Sequence, residues 1–285
     1  MTFKINSHRV GVPGSVRTRA VGVVLLALGW VLLVPGLSMA QEFSLFDRFS
    51  VSLGGSALGL STKIRLDSSE LDRGTTISFE DDLGLSANEI VPALGFQARL
   101  GKRHVIDAAW SKADRGATSQ SLSEIEFGDI TIPGGSNVTL SFDQEQIGAA
   151  YTYYFMLRDR WALGVRGGLR VLSLQTFLGI RNTDISDEGD ISAPLPFIGF
   201  SYRYGIMPRL RLISNFGWLS LKVGDVDGSQ ILADAGVEYL IWKNASFGFA
   251  LTYATLDVNI TNGDDFTGSA DLGSFAGTFF VKGRW

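Results

Sequence analysis

The chain has 285 residues, a formal charge of −4, no cysteine, and 34 glycines beside 19 phenylalanines, seven tyrosines and six tryptophans. The lack of cysteine excludes a disulfide framework, an iron–sulfur cluster and a thiol nucleophile, and the acidic balance is a poor match for non-specific nucleic-acid binding. After residue 40 no apolar run approaches the ~18–20 residues of a membrane-spanning helix.

The first forty residues read as an export signal. Lys4, Arg9, Arg17 and Arg19 form a basic start without an acidic residue, and an apolar run of about 15 residues follows from Ala20 to Val34. That run is short for a retained spanning helix. Ser38-Met39-Ala40 offers small residues at the positions a signal peptidase reads, which predicts cleavage before Gln41. Without residues 1–40 the formal charge becomes −8. Residues 41–285 show no solenoid-length repeat and no low-complexity linker, so they are expected to form one domain.

Period-two alternation runs through this domain. It predicts strands at about 48–66, 90–101, 104–115, 140–156, 160–180, 194–206, 209–223, 229–241, 245–260 and 272–285. In the fourth, Ile147, Ala149, Tyr151, Tyr153 and Phe155 alternate with Gln146, Gly148, Ala150 and Thr152. In the fifth, Trp161, Leu163, Val165, Leu169 and Val171 alternate with Ala162, Gly164, Arg166, Gly168 and Arg170. The ninth sets Phe247, Phe249, Leu251 and Tyr253 against Ser246, Gly248, Ala250 and Thr252. The last sets Phe275, Phe279, Val281 and Trp285 against Ser274, Ala276, Thr278, Lys282 and Arg284. Large aromatics on one face, with glycine and arginine on the other, suit a barrel that is apolar outside and polar inside. The expected fold is all-β: a closed antiparallel up-and-down transmembrane β-barrel of about ten strands.

Connection lengths alternate. Gly101-Lys102-Arg103, Leu157-Arg158-Asp159, Met207-Pro208 and Trp242-Lys243-Asn244 are tight turns. Longer stretches lie at 67–89, 116–139, 181–193 and 261–271, with a short one at Asp225–Gly228. Outer-membrane barrels have short periplasmic turns and longer external loops, so both termini are expected in the periplasm. The charges separate in the same sense. Lys102, Arg103, Arg158, Arg160, Arg209 and Lys243 sit at the tight turns, whereas Asp67, Glu80, Asp81, Asp82, Glu124, Asp187, Asp225, Asp227 and Asp264 sit in the looser connections. Thr75–Glu80 and Asn137–Phe142 alternate in their own right, which predicts hairpins continuing the wall above the membrane.

Short charged turns, acidic loops and an aromatic terminus after Phe279-Phe280-Val281 make residues 41–285 resemble the small outer-membrane β-barrel proteins of Gram-negative bacteria. Thr76–Gly84, Ile125–Asp129 and Ala193–Pro196 are similar to stretches in members of that group. The resemblance implies outer-membrane localisation, contact with outer-membrane lipid and lipopolysaccharide, and a last strand read by the barrel-assembly machinery through Phe275, Phe279 and Trp285. The family more often ends in Phe than in Trp. Barrels of this size host adhesins, lipid enzymes, proteases and narrow channels, so architecture does not transfer activity.

The histidines bear on enzymatic readings. His8 falls in the signal segment, and His104 follows the first tight turn, away from the acidic loops. A Ser–His or Asp–His constellation at the outer rim therefore has no histidine. Asp81-Asp82 and Asp264-Asp265 are sequence neighbours, which point to opposite faces of a strand and do not converge. Asp225-Val-Asp227-Gly228 is half of a calcium loop without its late glutamate, and Asp and Gly equally suit a turn. The chain is expected to be non-enzymatic, monomeric, without cofactor and without nucleic-acid partner. If the aromatics face lipid, the lumen receives Arg99, Asp107, Arg166, Arg170, Arg203, Arg211, Asp234 and Glu238, joined by Gln97, Gln146, Asn215, Lys282 and Arg284. Register places Arg211 opposite Glu238 and leaves Asp107 as a partner across the lumen for Arg166, Arg170 or Arg203. Two readings follow. A salt-bridged interior makes a closed scaffold that presents acidic loops to ligands, cations or cells. A narrow channel for small solutes, lined by arginine, is the alternative.

Overall fold

The computed structural model describes residues 44–68, 73–120, 125–127, 130–132, 135–180, 186–223, 226–262 and 266–285. The expected signal segment and its cleavage position lie outside the described residues. Thirteen strands occur among those described: β1 Phe49–Ser68, β2 Arg73–Ser78, β3 Asn88–Leu100, β4 His104–Gln120, β5 Ile125–Phe127, β6 Ile130–Ile132, β7 Asn137–Leu157, β8 Trp161–Ile180, β9 Ser186–Met207, β10 Leu210–Val223, β11 Val226–Trp242, β12 Ala245–Asn262 and β13 Phe266–Arg284. Ten of them, β1, β3, β4 and β7 through β13, pair antiparallel in sequence order, and β13 returns to pair with β1. The barrel is closed, all-β and ten-stranded. β2 pairs with the far end of β1, and β5 with β6 forms a separate hairpin.

Closure joins all ten strands in a ring, and the pleat sorts the side chains. Each of the ten strands exposes at least one large apolar residue on the outer face: Leu53, Ile90, Ile106, Ile147, Leu169, Ile198, Trp218, Ile231, Phe249 and Phe279 are one from each. Ile90 is 85% and Ile198 66% accessible. A band of this kind around a whole circumference is what a barrel needs against hydrocarbon. At the tight-turn end the outer face becomes aromatic. Tyr202 stacks near Tyr204, His104 lies between Tyr151 and Tyr153, and Trp242 and Trp285 are exposed. Gly101 takes φ 71° in its turn, a conformation that side chains disfavour.

The tight turns fall where expected, but the strands run further at the opposite end. β9 begins at Ser186, within the stretch expected as a loop at 181–193, and β13 begins at Phe266 rather than near 272. At ~3.3 Å per residue the twenty residues of β8 are far longer than the ~9–11 needed to span a bilayer. Asp227-Gly228 is also wall, with Asp227 opposite Lys222 and Asn259. Of the expected connection Asp225–Gly228, Asp225 lies outside the described residues and Val226, Asp227 and Gly228 belong to the ladder. Among the described residues no cluster of three or more acidic or histidine side chains is arranged to hold a metal.

The ladder between β9 and β10 stops at Ile198↔Trp218, although β9 stays paired with β8 up to Ser186. Gly205 donates its N–H to Arg160 on the β8 side. Alternation then turns the even positions of β9 toward β10, and at Pro194 and Pro196 there is no N–H to donate.

The stretch 67–89 departs most from expectation. β2 does continue the wall, with Ile64 opposite Ile77. Residues 79–87 then leave the wall before β3 resumes it, and Phe79, Leu83 and Leu85 become buried instead of forming an external loop.

Candidate functional site

The lumen gathers nearly all the interior charge, in three layers. At the tight-turn end the segment Ser44–Asp47, preceding β1, folds into the mouth. Leu45 and Phe46 pack with Val105, Tyr154 and Ala162. The Phe46 ring meets Tyr154 edge-on at 4.8 Å, with the Arg99 and Arg203 guanidinium groups 4.4 and 4.8 Å from its centroid. Asp47 is buried and pairs with Arg211 and, at 2.6 Å, with Arg284. Arg211 also donates to Glu238 at 2.8 and 3.2 Å, and Lys282 reaches Glu238 at 2.6 Å. Three cations thus share two carboxylates. Such a cluster offsets desolvation only because each charge has several partners. Arg203 makes no ion pair among the described residues. It donates to Tyr154 Oη at 2.8 Å, Gln97 Oε1 at 2.7 Å and the Leu45 carbonyl at 3.5 Å.

The middle layer holds an Arg166–Asp107 fork, with bonds of 2.6 and 2.9 Å. Register leaves β7 between the two strands, so the pair crosses over a neighbour. Asn215 donates to Asp234 at 2.8 Å, and Arg170 to Gln146 at 3.1 Å. Phe197 fills space left by Gly168 and Gly217, where an added Cβ would lie 2.8 and 3.0 Å from its ring. Leu172, Leu195 and Leu256 complete this layer.

The third layer is the inserted segment 79–87. Phe79, Leu83 and Leu85 pack on Val138, Leu140 and Phe142 of β7, with Ile77 of β2. Arg115 anchors it, donating to Glu80 at 2.7 Å, to the Ser86 carbonyl at 3.2 Å and to Thr62 at 3.0 Å, with its guanidinium 5.0 Å from the Phe142 centroid. Glu80, expected as a solvated loop charge, is thereby an interior ligand.

The register brings Arg211 to Glu238 and Arg166 to Asp107. Arg99 instead sits at the mouth, donating to the Lys102 carbonyl at 2.7 Å. Asp47, Glu80 and Arg115 join the lumen set only in the structure. Arg115 shares strand parity with Asp107, a signal that was available; Asp47 and Glu80 lie outside regular alternation and gave none. His104, the one histidine among the described residues, is exposed, with Nδ1 2.6 Å from Tyr151 Oη. It shares the outward parity of Ile106 and lies apart from the lumen carboxylates.

No protein-family model matches the chain, and no curated protein matches it in sequence. Solved structures do match in shape. The outer membrane protease OmpT from Escherichia coli superposes with a TM-score of 0.60 at 10% identity, covering 86% of this chain and 99% of that one. The translocator domain of the autotransporter NalP from Neisseria meningitidis gives 0.47 at 12% identity, over 95% and 97%. At such identity the likeness to OmpT is one of fold, a closed barrel, and carries no chemistry.

Proposed function

We propose that the chain is an integral outer-membrane β-barrel of a Gram-negative envelope and acts as a closed, non-enzymatic scaffold presenting acidic hairpins. One observation carries this: the lumen is filled from both ends, by Leu45–Asp47 at the tight-turn mouth and by residues 79–87 at the other. A plugged interior favours the scaffold over the arginine-lined channel, and Arg166, Arg211 and Lys282, which would line a path, are held by carboxylates. The apolar girdle supports the membrane placement. Basic tight turns facing the periplasm, with both termini there, and acidic ends outside complete the orientation. The last strand, with Phe275, Phe279 and Trp285 on its outer face, is the element the assembly machinery would read. Lipid and lipopolysaccharide are its surroundings, and the monomer closes without a partner.

Planar-bilayer recording tests the reading. The purified barrel should give no stepwise conductance, and regular steps in the wild type would move the assignment to a channel. Labelling of cysteines introduced on intact cells, at Ser136 and at Lys243, tests orientation: the first should react and the second should not. N-terminal sequencing of the mature protein should begin at Gln41.

A further inference from the structure

We infer that the mid-lumen cavity beside Arg170 binds a small inorganic anion of the halide class. Arg170 projects inward from β8. One of its guanidinium nitrogens donates to Gln146 Oε1 at 3.1 Å, and its buried Nε meets no protein acceptor. The neighbouring interior arginines are better provided. Arg166 has Asp107, Arg115 has Glu80, Arg211 has Asp47 and Glu238, and Arg203 has three neutral acceptors. Arg170 has one neutral acceptor and, among the described residues, no ion pair.

Its side chain lines a cavity of about 30 Å³. Gln144, Gln146, Thr62 and Ser274 contribute polar groups to the wall, Leu172 and Leu256 apolar ones, and none of the described lining residues is a carboxylate. Donors are available beside Arg170 for chemical reasons. Gln146 accepts from Arg170 through its oxygen, which leaves its NH₂ to donate. Thr62 accepts from Arg115 through its hydroxyl, so its own proton is available. Gln230, opposite Leu256 in the β11–β12 register, is 1% exposed with neither amide atom bonded to protein. Buried polar groups of this kind ordinarily have partners.

Water would satisfy hydrogen bonds and leave the half-buried guanidinium charge uncompensated. A monatomic anion satisfies both. By this measure a water needs ~10–15 Å³, so the cavity has room for a halide and about one water. A sugar, a fatty acid or an organic carboxylate does not fit.

The test uses the whole purified barrel in detergent. Its thermal unfolding midpoint should rise saturably when sodium gluconate is replaced by chloride or bromide at constant ionic strength, as for any ligand that binds only the folded state. In Arg170→Gln the apparent halide dissociation constant should weaken by about tenfold or more, through loss of a charge-assisted donor. Gln146→Leu should weaken it less. Crystals of the wild type grown in bromide provide a readout independent of any variant's folding, with an anomalous peak expected within hydrogen-bond distance of Arg170 Nε. A midpoint indifferent to halide, or bromide crystals whose cavity holds water with no anomalous signal, would overturn the site.

Discussion

Glu238 illustrates how much one interior carboxylate holds. It accepts from Arg211, from Lys282 at 2.6 Å and from Ser246, while 1% exposed. Glu238→Gln keeps the shape and removes the charge, leaving three cations against Asp47 alone. The expected loss is about 3–5 kcal/mol, the range for breaking a buried pair, read as a lower urea midpoint for unfolding from detergent. An unchanged midpoint would mean that Asp47 suffices. The outer face gives a second contrast. Phe249 faces outward and is 44% exposed, whereas Ala250 faces the lumen. Phe249→Arg should cost ~2–4 kcal/mol and Ala250→Ser much less, by the same unfolding assay. Equal losses would mean that the faces are misassigned. Both predictions depend on strand parity, which is legible in sequence: a residue's face follows from counting by two once a strand is anchored. Parity is also why the Arg211–Glu238 pairing was readable and the Asp47 contact was not. Asp47 enters the lumen on an irregular segment, where no period says which way a side chain points.

Elements show the same division between what alternates and what does not. Strands and tight turns are legible because closure pairs each wall strand with two neighbours, and the ladder imposes its period on the sequence. Strand ends were read too short because acidic residues such as Asp187, Glu188 and Asp190 resemble loop, yet they sit in β9. Outside the apolar band a strand can be polar on its outer face at little cost. The inserted segment 79–87 resembles an external loop for a related reason, since Glu80, Asp81 and Asp82 mask its apolar members Phe79, Leu83 and Leu85. Arg115 is what holds it in place. Arg115→Met preserves the aliphatic stem and leaves Glu80 without its ion pair, so the segment should loosen. Limited proteolysis read by mass spectrometry should then show new cleavage between residues 79 and 87, absent in the wild type. Continued resistance would mean that the apolar contacts of this segment hold it unaided. Pro194 and Pro196 act in the opposite way, by withholding pairing. Replacing both with threonine supplies two donors facing β10, and the new amides at 194 and 196 should exchange slowly with solvent. Rapid exchange would show that wall curvature, not proline, ends the ladder there.

For the molecule as a whole, stability rests on the closing ladder between β1 and β13, which Trp285 extends by backbone bonds. Trp285 accepts at its carbonyl from the N–H groups of Arg48 and Phe49, at 3.0 and 3.1 Å, and donates its own N–H to the Phe49 carbonyl at 2.9 Å. The first strand and the last residue thus clasp each other beside the Asp47–Arg284 ion pair, so wall closure and the lower plug share an anchor. Detergent alone cannot compete for the backbone groups that this closure already pairs. Unheated protein in dodecyl sulfate should therefore migrate differently from boiled protein, and identical migration would argue against a closed barrel in solution. Removing Trp285 separates two roles. If the clasp is chiefly structural, the truncated chain should still reach the outer membrane but convert to the boiled mobility at a lower temperature. If the aromatic terminus is chiefly an assembly signal, the truncated chain should accumulate in the periplasm, and Trp285→Phe, which keeps the aromatic and the backbone, should restore outer-membrane levels. Wild-type levels and wild-type conversion temperature in the truncated chain would show that neither role belongs to this residue.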